Sequence, residues 1–194
     1  RKAILPQYRH WVNQLWEDWW SQRREYREIA WNRNQRPFNA PERRLLALAL
    51  LLQDHAQTLG HDLVRCMAEA EDTAAAQRRW HRLLALGDED WQHFFGFEKE
   101  LRQGAELLGA SRRLDLLVNV GLPLFFAYSF LQGDTAGLHR GRGILLDLPR
   151  LQNNRLLREA CHYLFVPPSR AGKVIPGACA QQGIIRLYRE LTAT

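Results

Sequence analysis

The sequence predicts an all-α fold: a compact bundle of seven to nine helices around a buried, proline-kinked central helix. Three observations carry this expectation. Almost no stretch alternates apolar and polar residues in the manner of a half-buried strand, whereas apolar residues recur at helical spacing along most of the chain. Helix-start and helix-stop residues fall between those periodic segments. An uncharged run, LLVNVGLPLFFAYSFLQG, then fills 18 positions from Leu116 to Gly133.

The elements follow in order. From about Pro6, Tyr8, Val12, Leu15, Trp19, Tyr26 and Ile29 recur at heptad-like steps, and Trp11, Trp16 and Trp20 widen the stripe. This reads as an amphipathic helix with an aromatic face, opposite Arg9, Glu17, Arg23, Arg24 and Arg27. A loop, Asn32 to Phe38, leads to Asn39, which stands three residues before Glu42 and just ahead of Pro41. That is capping-box spacing with a proline in the first turn, where its missing N–H costs nothing. The helix it opens is expected to reach about Thr58, stopped by Gly60, and to be buried all round because Leu45 through Leu52 is wholly apolar.

Shorter helices are expected over 62–71 and 73–86. Another opens at Asp88, Glu89 and Asp90, where acidic residues suit the positive end of the helix dipole, and carries Trp91, Phe94, Phe95 and Phe97. Ser111 is read as the cap of the central helix, which Pro123 should kink. A spanning helix needs about 20 predominantly apolar residues; the run here holds Asn119, Gly121, Pro123, Ser129 and Gln132 and is read as a core helix, with no membrane partner. Residues 133–143 read as a glycine-rich basic loop, 149–165 as a helix, 166–177 as a surface loop, and 178–191 as the last helix.

The chain has 194 residues, 46% of them hydrophobic and 25% charged, enough for one helical domain over 1–194 and unlike a disordered or fibrous composition. Net charge is +6, and 24 of the 27 basic residues are arginine. Guanidinium forks bind phosphate or carboxylate in bidentate fashion and stack on aromatics, which favours an anionic partner. Three widely spaced cysteines without a CxxC predict reduced thiols and a cytoplasmic location. No signal peptide is visible, and the start at Arg1 suggests a trimmed product or a piece of a longer protein.

Three segments, RPFNAPERRLLALALLL (Arg36 to Leu52), NVGLPLFFAY (Asn119 to Tyr128) and ACAQQGIIRLYREL (Ala178 to Leu191), carry a resemblance. The chain resembles the C-terminal helical part of the bacterial domain of unknown function 2851 family. The resemblance implies an N-terminal region outside this chain, similar to a metal-dependent nuclease fold, whose carboxylates would lie outside these residues. It carries over no catalytic residue, no metal site and no cofactor.

The densest candidate site is an arginine-rich loop and helix start. Arg33, Arg36, Arg43 and Arg44 cluster beside Trp31 and Phe38, next to exposed N–H groups near Asn39. Anions bind at helix N-termini, and arginines with aromatics form single-stranded nucleic-acid sites. The structural alternative pairs Arg36 and Arg43 with carboxylates or carbonyls, buries Trp31 and Phe38, and neutralises the cluster with Glu25, Glu28 and Glu42.

Other sets are weaker. GLHRGRG (Gly137 to Gly143) lacks the GK[ST] of a P-loop and reads as a flexible basic loop. Asp54, His55, His61 and Asp62 straddle a helix end and read as solvated termini rather than metal ligands. Cys161 and His162 point about 100 degrees apart on a helix and make no dyad. Gln181, Gln182 and Asn119 read as structural amides. Three functions compete: a module binding nucleic acid or another phosphate-rich ligand through the arginine face, a scaffold docking a partner protein or the missing N-terminal region, and, least supported, a self-contained enzyme.

Overall fold

The computed structural model describes residues 41–55, 57–87, 91–96, 99–101, 103–164 and 167–193, together with Asn13, Gln14, Glu17 and Ser21, which are helical. The other residues of the expected aromatic first helix, and Trp31, Arg33, Arg36 and Phe38, lie outside the described residues. The described residues form an all-α multi-helix fold with one very short strand pair. The helices are α1 (Pro41–His55), α2 (Leu59–Ala68), α3 (Thr73–Leu83), α4 (Ala110–Leu131), α5 (Thr135–Asp147), α6 (Arg155–Tyr163), α7 (Pro168–Val174) and α8 (Ala178–Thr192). The chain divides into two compact units: residues 1–54 with 86–108, and residues 55–85 with 109–194.

In the first unit, Ala47, Leu86, Trp91 and Leu107 form the core, flanked by Leu46, Leu50, Leu51 and Phe94. Helix α1 is therefore not buried all round. It buries the face bearing Ala47, while Leu45, Leu48 and Leu52 lie on the opposite side, 57%, 51% and 44% exposed. An all-leucine surface shows no polar side to the eye, so the sequence could not say which face was outermost. The helix expected after Asp88 is also corrected. Trp91–His93 is a single 3-10 turn, followed by strands β1 (Phe94–Gly96) and β2 (Lys99–Glu100), paired antiparallel with Phe94 opposite Glu100. Phenylalanines favour a pleated surface as readily as a helix, and two carbonyls of this segment are claimed by an arginine of α1.

In the second unit, Asp72 caps α3 by accepting from the Ala75 N–H at 2.6 Å, and Asn154 caps α6 by accepting from the Leu157 N–H at 2.7 Å. Helix α6 thus starts six residues later than Pro149, leaving 149–154 as a loop. Helix α7 occupies part of the expected surface loop, with Pro168 in its first turn. Gly60 lies inside α2 rather than ending a helix.

Helix α4 carries most of the uncharged run. Its turn Leu117–Gly121 is π-helical, and the Leu122 N–H bonds the Leu117 carbonyl five residues back. The wider turn gives Pro123 room where a regular helix would press its ring on the carbonyl four residues before it. This helix is long and apolar enough to cross a membrane by length and composition, yet only a third of that stretch is buried within the chain. Leu117, Val118, Gly121, Leu122, Phe125 and Ser129 face inward. Phe130 and Leu131 are 74% and 78% exposed. The expected buried central helix is thus buried along one face.

The glycine-rich stretch after it is a helix and not a loop. Gly133, at φ 65°, ends α4, with its N–H on the Phe130 carbonyl and the Asp134 N–H on the Ser129 carbonyl. Asp134 then caps α5 by accepting from the Gly137 N–H at 2.8 Å. Gly137 and Gly141 stand one turn apart and are buried. A methyl group on Gly141 would come within 2.8 Å of the Phe126 ring, so the glycines let α5 lie against α4.

The start of α2 is tied by a small polar knot. Asp62 Oδ2 accepts from Thr58 Oγ1 at 2.7 Å and lies 3.0 Å from His55 Nδ1. The Thr58 hydroxyl first, and His55 second, hold the Asp62 carboxyl below its ordinary value. A depressed carboxyl pKa stabilises the fold above the unfolded value, and that contribution is lost as pH falls through the folded value. Thr58→Val is expected to move the Asp62 carboxyl titration, followed by carbon-detected NMR, upward toward the ordinary range. An unmoved titration would show that the hydroxyl is not what depresses it. Cys66, buried on α2, has its thiol pushed up to about 11 by burial, so it stays protonated at neutral pH.

Candidate functional site

Arg43 and Arg44 are the two members of the predicted arginine cluster whose side chains are described, and they have opposite fates. Arg43 is fully buried on α1. Its Nη1 donates to the Trp91 carbonyl at 2.7 Å and to the Phe94 carbonyl. Its Nη2 donates to the carbonyls of Ala105 and Glu106 at 2.7 and 3.0 Å. One guanidinium thus clips the 91–94 segment to the 105–106 segment. Burial pulls its basicity below the ordinary value. Arg43 has no free terminal N–H face for an external anion, and it leaves the candidate ligand set. Arg44, the next residue, points about a quarter-turn away and is exposed, with no side-chain partner among the described residues.

The weaker candidates settle into structural roles. His55 and Asp62 meet, but no group of three His, Cys, Asp or Glu among the described residues converges as a metal set. Arg140, from the glycine-rich stretch, donates to the Ala68 carbonyl at 2.8 Å. Gln181 is buried on α8, accepts from the Leu151 N–H at 2.9 Å and donates to the Gln152 carbonyl at 3.5 Å. It holds the loop 149–154, the structural role expected of this amide.

That loop, α8 and the first half of α4 enclose a groove of about 390 Å³ in the second unit. Its α4 wall presents Arg112, Asp115 and Asn119, and its other walls present Gln152, Asn153, Gln182 and Arg189. Leu151, Leu156 and Ile185 supply apolar surface between them. The amides are held in place. Asn119 Nδ2 donates to the Asp115 carbonyl at 2.7 Å, beside the π turn, and Asn119 Oδ1 accepts from Gln182 Nε2 at 3.3 Å. Arg112 Nη1 stands 3.4 Å from Asp115 Oδ2. Burial raises the Asp115 carboxyl above its ordinary value, with Arg112 pulling the other way. Arg189 has no side-chain partner among the described residues.

Sequence reasoning missed this groove. Part of it was legible: Arg112, Asp115 and Asn119 sit at i, i+3 and i+7, a polar stripe along the first half of the helix. The contribution of Gln152, Asn153 and Arg189 was not, because nothing local says that the loop and α8 face that stripe.

A family model described as protein of unknown function (DUF2851) matches residues 17–154. The chain belongs to this family. No curated protein and no solved structure matches the chain. The match to DUF2851 takes in the first two of the three resembling segments, and Ala178 to Leu191 lies beyond it. The DUF2851 span therefore includes the α4 wall of the groove and its loop wall, while the α8 wall falls outside it.

Proposed function

We propose that the chain is a binding module for nucleic acid or another phosphate-rich ligand, engaged through an arginine-rich face that includes Arg33, Arg36 and Arg44 with Trp31 and Phe38. One observation supports the reading most. Arg44, Arg78, Arg82, Arg142, Arg158, Arg170 and Arg189 are all exposed and make no ion pair or side-chain hydrogen bond among the described residues. Fitted carboxylates accompany Arg65, Arg79, Arg155 and Arg186 instead. A surplus of unneutralised guanidinium groups is what an extended polyanion would occupy, releasing counterions as it does so.

The test is fluorescence anisotropy with labelled single- and double-stranded oligonucleotides across a salt series. The wild type is expected to bind, more weakly as salt rises. An Arg33/Arg36/Arg44→Ala variant, which leaves the buried Arg43 untouched, is expected to flatten the single-strand salt slope by roughly 2, at about 0.7 for each phosphate that the variant no longer neutralises. Absence of binding at low salt would overturn the reading. A scaffold that docks a partner protein is the second reading, favoured by the exposed Phe130 and Leu131 at the end of α4.

A further inference from the structure

We propose that the groove between α4, the 149–154 loop and α8 is a site for a nucleoside monophosphate unit, free or within a single strand. This goes beyond the arginine face, and takes from the proposed function only the choice of phosphate as the anion.

The groove's volume, about 390 Å³, lies within the range of small-molecule sites, at about 300–1,000 Å³. Its chemistry is mixed in a specific way. Arg189 is an unneutralised fork suited to a terminal phosphate. Asp115 is partly desolvated and, among the described residues, has Arg112 alone, at 3.4 Å, beside its carboxylate, so a ribose hydroxyl or an exocyclic amine would improve its hydrogen bonding. The side chains of Gln152 and Asn153 are exposed at the mouth; Asn153 Oδ1 already accepts from Arg150 Nη2, so Gln152 is the amide with both its donor and its acceptor open among the described residues. A side-chain amide offers a donor and an acceptor side by side, the pattern that matches the edge of a base. Leu156, half-buried in the groove wall, gives a base an apolar surface to lie against.

Preorganisation separates this groove from a chance depression. Asn119 is fixed at both ends, by Asp115 and Gln182, and Gln181 anchors the loop from beneath. The backbone that carries Gln152 and Asn153 is therefore already in place when a ligand arrives, which lowers the entropic cost of binding.

The experiment is two-dimensional ¹H–¹⁵N NMR of the whole chain, following the side-chain amides of Asn119, Gln152 and Asn153. The probes are inorganic phosphate, the four ribonucleoside 5′-monophosphates and a short single-stranded oligoribonucleotide containing all four bases. Saturable shifts of these amides by at least one monophosphate, weakened about tenfold or more by Arg189→Glu, are expected. A Gln152→Ala/Asn153→Ala variant should lose discrimination among the bases while retaining phosphate-dependent binding. Tighter binding of the monophosphate identifies a free nucleotide as the ligand, and tighter binding of the oligomer identifies a strand. Equal affinity for inorganic phosphate alone would overturn the nucleotide assignment. Oligonucleotide binding that depends on Arg33, Arg36 and Arg44 but leaves the groove amides unshifted would overturn the groove and leave the proposed function standing. Loss of all binding would overturn both.

Discussion

Arg43→Met is expected to destabilise the first unit by about 4 kcal/mol, although methionine fits the same volume and is more apolar. Four carbonyls, of Trp91, Phe94, Ala105 and Glu106, depend on this one guanidinium. A buried acceptor left without a donor costs about 1–3 kcal/mol, and water would rescue some of the four. The wild-type arginine is itself an awkward choice. Its Nε is buried without a hydrogen-bond partner, and the acceptors on its two terminal nitrogens are all carbonyls. Their dipoles offset the cost of burying the charge only while all remain aligned. Hydrogen exchange followed by mass spectrometry provides the readout. Amides such as the Leu101 N–H, bonded to the His93 carbonyl at 2.7 Å, should lose protection in the variant. Unchanged protection over 91–107 would show that the clip does not hold these segments. Arg43→Lys should fail nearly as badly, since one ammonium cannot present two forks to two segments.

Trp80→Ala carries the second large effect, expected at about 3–5 kcal/mol. Trp80 is 1% exposed on α3 and donates its indole N–H to the Arg113 carbonyl at 2.7 Å. Its ring also lies where a side chain on Gly121 would go: an added Cβ would come within 2.7 Å of it. Alanine at a helical glycine ordinarily stabilises by about 1 kcal/mol. At Gly121 the sign should reverse, because the ring cannot move away without breaking its hydrogen bond. The two substitutions are therefore expected to be non-additive. In the double variant the new methyl group points into the space the indole has vacated, so the destabilisation should be smaller than that of the two single variants together. Thermal or denaturant unfolding of the four proteins measures this. Strict additivity would show that Trp80 and Gly121 do not share that space.

How much of the fold is legible in the sequence varies with the range of the interaction. The helix from Pro41 was legible because its start is written in adjacent residues. The breakpoint at Gly133 was equally local, with Asp134 beside it as a cap, yet the glycines that follow pointed away from the correct reading. Glycine weakens an isolated helix, and Gly137 and Gly141 are tolerated only because α4 packs where their side chains would be. In the same way, the aromatic stretch at 91–97 resembles a helical face until one asks where its carbonyls go.

By itself, the sequence determined the all-α class, most helix positions, the excess of arginine over carboxylate, and membership of the family through local motifs. These depend on spacing along a few turns or on composition, which are properties of neighbours in the chain. Tertiary structure alone decided the rest: that Arg43 is a structural clip while Arg44 is exposed, that only one face of α1 and of α4 is buried, that a glycine-rich stretch is a helix, and that the amides of 152–153 and 181–182 gather against α4. Such features depend on groups 29 to 63 residues apart in sequence, as with Gln181 on Gln152 and Arg43 on Glu106. The same guanidinium is a ligand-binding group when it faces water and a structural strut when carbonyls surround it.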